Sequence, residues 1–529
     1  MNDDQATPRK CHLIFNEPAS QYRRTSIIGT ISKASQDSQI LQQMIMAGMN
    51  IARLNFSHDT QMFHERSLQL LHEATEHCSQ EVGRNIQIAL ALDTKGPEIR
   101  TGLLEAGPNA EIELRTNDSF RLSINRDLMD KGNRDFIYVD YERIIDVLLP
   151  GYLVYINDGA VELVVKELGV DCVMCQIRRG GTLGSRKKIN LPGVNVDLPA
   201  VSEKDRNDLK FALKHNFDMI FASTVRNAEA VREIRSVLGQ KGKELKIIAK
   251  IDCIQSLQNI NELLSEADGI LFDRADLAIE IPPAKIFLAQ KAIAELCNKM
   301  GKPIIIASQL LASMCKKPTP TRSEVADLGN AILDGADCVM LSAETAIGKY
   351  PVESVTMMDG IVREFELAMH RGNGVIDIPL TLDPVNTVAI SAVNAANKTK
   401  ASAIIVLTTS GRSAHLLAKY HPKCPVLAVT RCSRSFRQCF LYRGIVPILY
   451  TEKLDDNWLE GVDVRIQYAL NIAKRIGIVK TGDTILIVSP WKDGAGFTNN
   501  LRLIYAYFEQ DDIDCMVQGD RKSTKKSIL

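Results

Sequence analysis

Aromatic residues are scarce, at 5% of 529 residues with only two tryptophans. So few rings weigh against a single-strand nucleic-acid binder, which needs stacking platforms. Net charge is also missing: 64 Lys and Arg balance 64 Asp and Glu. Whole-chain charge therefore favours neither nucleic acid nor a membrane surface as partner. No apolar run is long enough to cross a bilayer. The opening MNDDQATPRK has no apolar h-region, so a secretory signal is not expected. The twelve cysteines form no framework. Several, such as Cys253 and Cys338, sit in apolar runs, which suits buried thiols in a reducing cytoplasm. Cys172 and Cys175 make one CxxC with no second pair nearby, so two strand cysteines explain it better than zinc. The ending KKSIL only loosely resembles a peroxisomal tripeptide; a disordered basic tail is the expectation.

What is present is a series of short β-branched runs, most followed by helix-patterned segments. They cover 25–32, 49–57, 85–93, 217–224, 246–252, 269–274, 303–309 and 338–344. Eight such units predict a (β/α)8 TIM barrel, with chemistry at the C-terminal strand ends. Polar residues fall there: Arg53, Asn55 and Ser57; Asp93 and Thr94; Ser223 and Arg226; Lys250 and Asp252; Arg274 and Asp276; Ser308; Ser342 and Glu344. Lys250 with Asp252 and Asp276 suits holding a divalent metal against a phosphorylated substrate while a lysine neutralises developing charge. The bland alternatives are a barrel lysine paired only for stability and, for Asn55 and Ser57, turn chemistry.

Residues 97–198 are too long for a βα loop and are patterned as strands (AEIELRT, FRLSI, FIYVD, YLVYIND, VELVVKE, DCVMCQI). They predict an inserted β-barrel lid over the rim. The barrel then takes 25–96 and 199–370, after an N-terminal segment 1–24. From 371 to 529 the alternation restarts as a separate open α/β domain. Within it, TTSGRS (Thr408, Thr409, Ser410, Gly411, Arg412, Ser413) follows a strand and precedes a helix, as a phosphate cradle or an ordinary cap would. Lys492, Gly494 and Gly496 in WKDGAGF offer a second phosphate loop.

NIARLNFSH, LDTKGPEIRTG, NLPGVNVDLPAVSEKD, KKPTPTR, GADCVMLSAETA and LYRGIVPIL resemble the pyruvate kinase family, in order, from about residue 25 to about residue 510. The resemblance implies transfer of the phosphoryl group of phosphoenolpyruvate to ADP, giving pyruvate and ATP, by a homotetramer using Mg²⁺ (or Mn²⁺) and K⁺, with the cytoplasm as the default location. It implies that Arg53 binds the substrate phosphate and Lys250 stabilises the phosphoryl in flight. Asp252 and Asp276 would bind Mg²⁺; Asn55, Ser57, Asp93 and Thr94 would hold K⁺, with Glu98 matching the K⁺-dependent form. Arg100, Lys187 and His58 would face the nucleotide, and Asp158 matches the family on the lid. Backbone N–H groups of Ala275 and Asp276 would hold the substrate carboxylate, and Ser308 would stand for a threonine that helps protonate the enolate. Residues 408–413, Trp458, Arg465, Lys492, Gly494 and Gly496 match a fructose 1,6-bisphosphate effector site.

The sequence departs from the family where chemistry is expected. Asp252 replaces Glu, which withdraws the carboxylate by about 1.5 Å on a fixed backbone. DRADLA replaces ARGDLG, so Ala275 adds a methyl, with strain if its φ is positive. Asp273 adds negative charge beside an anionic substrate. Asp59 and Ala343 replace glycines, Thr409 stands where some members have lysine, and Asp493 adds a charge to the closing effector loop. The alternative to an active kinase is a catalytically weak paralogue, a metabolite-binding or tetramer-partner subunit. A Schiff-base aldolase built on Lys250 is disfavoured by the adjacent carboxylates.

Overall fold

The computed structural model describes residues 22–369, 383–453, 458–492 and 498–507. Eight parallel strands close into a barrel: β1 (Ser26–Thr30), β2 (Met49–Asn55), β3 (Ala89–Asp93), β4 (Met219–Ala222), β5 (Lys246–Ile251), β6 (Gly269–Asp273), β7 (Ile304–Ala307) and β8 (Cys338–Leu341). Strand alternation sorts the side chains into two sets. Ile247, Ala249 and Ile251 pack outward with the helices, while Ile248 belongs to the buried interior set. The same alternation runs round the barrel, and in seven of the eight strands the inward column changes character along its length. It is apolar at the start (Ile28, Ile51, Ala91, Phe221, Ile248, Leu271, Met340). It ends polar, in Thr30, Arg53 and Asn55, Asp93, Ser223, Lys250 and Asp252, Asp273, and Ser342. An apolar plug thus supports a charged upper rim.

At the lower rim, three aspartates immediately precede β4, β6 and β8, and each caps the neighbouring strand. Asp218 accepts from Leu90 N at 2.9 Å, Asp268 from Ile247 N at 2.9 Å and Asp337 from Ile304 N at 3.0 Å. These N–H groups would otherwise be unpaired where the sheet begins.

The insertion after β3 forms a seven-stranded sheet in the order Ile99–Arg100, Lys188–Asn190, Leu153–Ile156, Val161–Leu168, Cys172–Arg179, Ser119–Ser123 and Phe136–Tyr138, beside a ribbon of Glu111–Leu114 with Gly181–Gly184. It has its own core around Phe120, Val154 and Leu163. Cys172 and Cys175 lie on one strand as free thiols. The C-terminal sheet has β9 (Ala403–Leu407), β10 (Val426–Thr430), β11 (Ile445–Leu449), β12 (Thr484–Pro490) and β13 (Thr498–Tyr505), in the order β11-β10-β9-β12-β13. Helix Pro384–Thr399 covers one face and Trp458–Arg475 the other. The antiparallel edge strand β13 escaped the sequence reading because its residues alternate between exposed and half-buried and carry little apolar signal. This domain docks under the lower rim: Arg437 pairs with Asp218 at 2.8 Å, and Arg443 N donates to Asp337 at 2.9 Å. Among the described residues no helix is long and apolar enough to cross a membrane.

Candidate active site

A cleft of about 820 Å³ opens at the upper rim between the barrel and the inserted sheet. On its wall the structure brings together Arg53, Asn55, Ser57, His58, Arg100, Lys187, Lys250, Asp252, Ala275, Asp276 and Ser308, along with Glu98 and Asp158. Asp93 and Thr94 are buried behind that wall, at 1% and 4% exposure.

The floor is a hydrogen-bonded chain across four strands. Arg53 pairs with Asp93 at 2.6 Å and donates to Thr30 Oγ1 at 2.9 Å. Asp93 also accepts from Ser223 Oγ at 3.0 Å, and Ser223 N donates to Thr94 Oγ1 at 3.1 Å. Asn55 lies directly opposite Asp93 in the β2–β3 register. Its Oδ1 accepts from Ser57 N at 3.1 Å, so the turn chemistry is real, and an amide oxygen keeps a second lone pair for another partner. The oxygens of Asn55, Ser57, Asp93 and Thr94 are hard donors carried by neighbouring strand ends, a set that suits an alkali ion.

Lys250 Nζ lies 3.3 Å from Asp273 and 3.8 Å from Asp276. Burial alone would lower its pKa, but Asp93, Asp273, Asp276 and Asp252 outweigh it and hold the ammonium above its ordinary value. Asp252 is the unusual group. Burial pushes its carboxyl up to about 6, against the opposing pull of Lys250. Its Oδ2 accepts from Thr224 N at 2.8 Å, while Oδ1 has no hydrogen-bond partner among the described residues. A buried carboxylate oxygen left without a partner is costly. Asp276 lines the same cleft and acts electrostatically on Asp252, and the orphaned oxygen is of the kind an oxygen-seeking divalent cation would take.

Several departures prove mild. Ala275 belongs to helix Arg274–Glu280 and is absent from the positive-φ residues, so its methyl carries no backbone strain. Asp273 does not confront a substrate as bare charge. It pairs with Lys250, accepts from Ser308 Oγ at 2.7 Å and caps the helix at Asp276 N. The Lys250 ammonium and that hydroxyl overcome the effect of burial and keep its carboxyl below the usual range. Asp59 does sit at φ 61, the left-handed region that favours glycine. Arg274 turns away from the cleft floor. It donates to the carbonyls of Ser308 and Gln309 and pairs with Asp327 at 2.6 Å, bracing a turn whose two residues have φ 70 and 55.

The inserted sheet supplies the other wall. Arg100 pairs with Glu98 at 2.5 Å and donates to Arg186 O at 2.8 Å. Lys188, passed over in the sequence reading, reaches Asp276 at 3.1 Å and lies 3.9 Å from Glu98. Burial alone would lower its pKa, but Asp276, Glu98 and Asp252 raise it to about 12. The signal for it was alternation. Lys188 and Asn190 share one face of their short strand, and Asn190 donates to Glu280 at 3.2 Å on the same barrel helix.

The effector residues lie in the C-terminal domain. Thr408 Oγ1 accepts from Gly411 N at 3.0 Å, Gly411 has φ 81, and Arg412 pairs with Asp383 at 3.2 Å. Thr409, Ser410 and Ser413 share this turn and the helix start. Trp458 opens the helix that packs under Leu407, and on that helix Arg465 Nε donates to Gly461 O at 2.8 Å. Lys492 stacks over Trp491 at 5.0 Å. Gly494, Gly496 and Asp493 lie outside the described residues.

A (β/α)8 barrel with paired acidic and cationic groups at the C-terminal ends of its strands, under an inserted β domain, has the build of a barrel enzyme. Residues 22–355 match the family model described as the pyruvate kinase barrel domain, and 386–504 match the pyruvate kinase alpha/beta domain. The chain is 45% identical over 495 residues to the pyruvate kinase PKLR of Homo sapiens, covering 93% of this chain and 86% of that one. It is 43% identical over 498 residues to the pyruvate kinase of Hypocrea jecorina, covering 92% and 91%. It is 42% identical over 496 residues to pyruvate kinase 1 of Saccharomyces cerevisiae, covering 92% and 96%. The chain belongs to the pyruvate kinase family, and its activity is that of a glycolytic pyruvate kinase, a phosphotransferase.

Proposed function

We propose that the rim cleft carries out the reaction, with phosphoenolpyruvate as donor and ADP as acceptor. The observation that carries this reading is the Lys250 ammonium set among buried carboxylates, one of which, Asp252, has an orphaned oxygen. A terminal β-phosphate oxygen of ADP attacks phosphorus, the P–O bond to the enol breaks, and the enolate takes a proton at its terminal carbon to give pyruvate. Arg53 holds the substrate phosphate from below. Lys250 neutralises charge spreading over the phosphoryl oxygens as they transfer. Backbone N–H groups of Ala275 and Asp276 take the substrate carboxylate. Arg100, Lys187 and His58 face the nucleotide. Ser308 serves the enolate's proton, and its hydroxyl must turn from Asp273 to deliver it.

Asp252 and Asp276 would hold Mg²⁺ or Mn²⁺, and Asn55, Ser57, Asp93 and Thr94 would hold K⁺. When bound, these ions supply charge neutralisation on the phosphoryl and carboxylate oxygens. We assign 97–198 as a lid that excludes water, 25–96 and 199–370 as the catalytic barrel, and 371–529 as the effector-binding domain. The protein is a cytoplasmic homotetramer in this reading, activated by fructose 1,6-bisphosphate at residues 408–413, Trp458, Arg465 and the Lys492–Gly496 loop. The weak-paralogue alternative gains nothing from the unstrained Ala275 or the neutralised Asp273.

Pyruvate formation from phosphoenolpyruvate and ADP, run with K⁺ and with Mg²⁺ and Mn²⁺ in parallel, tests the reaction. Turnover is expected, and its absence with both metals in protein that still binds substrate would move the assignment to the non-catalytic subunit. Arg465→Ala is expected to abolish the sugar-bisphosphate response. Mass photometry at low concentration checks assembly, where a stable monomer would remove the tetramer.

A further inference from the structure

Lys188 has no part in the transfer just described, yet its ammonium sits inside the acidic cluster. It is 3.1 Å from Asp276 Oδ1 and 3.9 Å from Glu98 Oε1, with 20% of its side chain exposed. The other oxygen of Asp276 faces Lys250 at 3.8 Å. Asp276 is therefore held between two ammonium groups, one from each domain. Lys250 rises from the barrel interior as the last inward residue of β5 and is fixed by Asp273 as well. Lys188 arrives from the inserted sheet, on a strand anchored to the same helix through Asn190 and Glu280.

A magnesium ion takes carboxylate oxygens at about 2.0–2.1 Å and tolerates little distortion. A cation that close to Asp276 Oδ1 would stand about 5 Å or less from the Lys188 ammonium, where like charges in a half-buried cleft repel strongly. We propose that Lys188 is a tethered internal cation that competes with the divalent metal for Asp276, so that seating of the inserted domain sets the metal affinity of the cleft. Lys188 occupies Asp276 when the cleft holds no metal and gives way when metal loads. The proposal rests on the metal assignment of Asp252 and Asp276 made above.

The test is Mn²⁺ binding to the full chain, read from the electron paramagnetic resonance signal of free Mn²⁺, without substrate or nucleotide. Lys188→Met is expected to bind Mn²⁺ at least about tenfold tighter than wild type, because one repelling charge is removed. Lys188→Gln keeps a hydrogen-bond donor and much of the bulk and is expected to tighten binding likewise, which guards against a packing artefact in the methionine variant. Lys188→Arg keeps the charge and is expected to stay within about threefold of wild type. Lys166→Met removes an exposed lysine of the same domain and is expected to change nothing. Asp252→Asn is expected to abolish the tighter binding in the Lys188→Met background. Equal or weaker binding in both neutral variants would overturn the proposal, as would tighter binding that survives Asp252→Asn. Pyruvate formation is measured separately, so loss of the proposed reaction and loss of the competition are told apart.

Discussion

Asp252 and Asp337 lie at opposite rims of one barrel, both buried, and burial pushes both up to about 6. Their surroundings differ. At the lower rim Asp337 gives one oxygen to Arg443 N at 2.9 Å and the other to Ile304 N at 3.0 Å. At the upper rim Asp252 gives one oxygen to Thr224 N and leaves the other without a partner. Asp218 repeats the lower pattern, with Arg437 and Leu90 N as its donors. A raised pKa is thus common to buried carboxylates at both rims, and the unsatisfied oxygen tells the two apart. The lower rim uses carboxylates to close the sheet and clamp the C-terminal domain. The upper rim leaves a buried carboxylate oxygen unpaired, at a cost in stability.

The contrast can be broken most sharply at Lys250. Lys250→Met is expected to lower kcat for pyruvate formation by about 10³ or more, some 4 kcal/mol, with the C-terminal domain still docked. Steady-state kinetics with a thermal melt checks it, and near-normal turnover would refute the upper-rim assignment. At the lower rim Asp218→Ala leaves the half-buried Arg437 without its carboxylate. It is expected to cost about 3–5 kcal/mol of stability in urea unfolding, while turnover per folded molecule stays near wild type.

pH offers a third handle. The folded value of Asp337, about 6, lies above its ordinary 3.8. The folded state therefore holds that proton more tightly. Its contribution is fully present below about pH 4 and is lost as pH rises through 6, amounting to roughly 3 kcal/mol. Comparing wild type with Asp337→Asn in urea from pH 4 to 7 isolates the slope; parallel curves would contradict it. The smallest effect expected is at Asp59, where φ is 61. Asp59→Gly relieves the left-handed backbone and is expected to raise stability by no more than about 1 kcal/mol, seen as a small rise in Tm.

Much of this was legible in the residues. All eight barrel strands fall inside the runs read from the sequence, because buried parallel strands are continuous β-branched segments bounded by turns. Lys250 and Asp252 were found for the same reason. Arg274 lies one position off the inward column. Alternation points Leu271 and Asp273 inward and Arg274 outward, so the strand-end charge inside the barrel is Asp273. The lower-rim aspartates were passed over although each occupies the same place, in FDMIF, ADGIL and ADCVM. Their partners are backbone N–H groups of other strands, which no local pattern names. Lys188 was hidden for a related reason: its meaning comes from an inserted strand meeting a helix 88 residues away.

The most direct test of the contrast is the unfolding free energy at pH 7 of Asp252→Asn beside Asp337→Asn. Asn at 252 keeps an acceptor for Thr224 N and removes a buried carboxylate whose second oxygen has no hydrogen-bond partner, so stability is expected to rise by about 1–3 kcal/mol. Asn at 337 can satisfy only one of two facing N–H donors and sets its NH₂ against the other, so stability is expected to fall by a similar amount. Changes of opposite sign would establish that the upper rim trades stability for an open coordination site. A loss of stability in both variants would mean that Asp252 is a structural carboxylate like those below it.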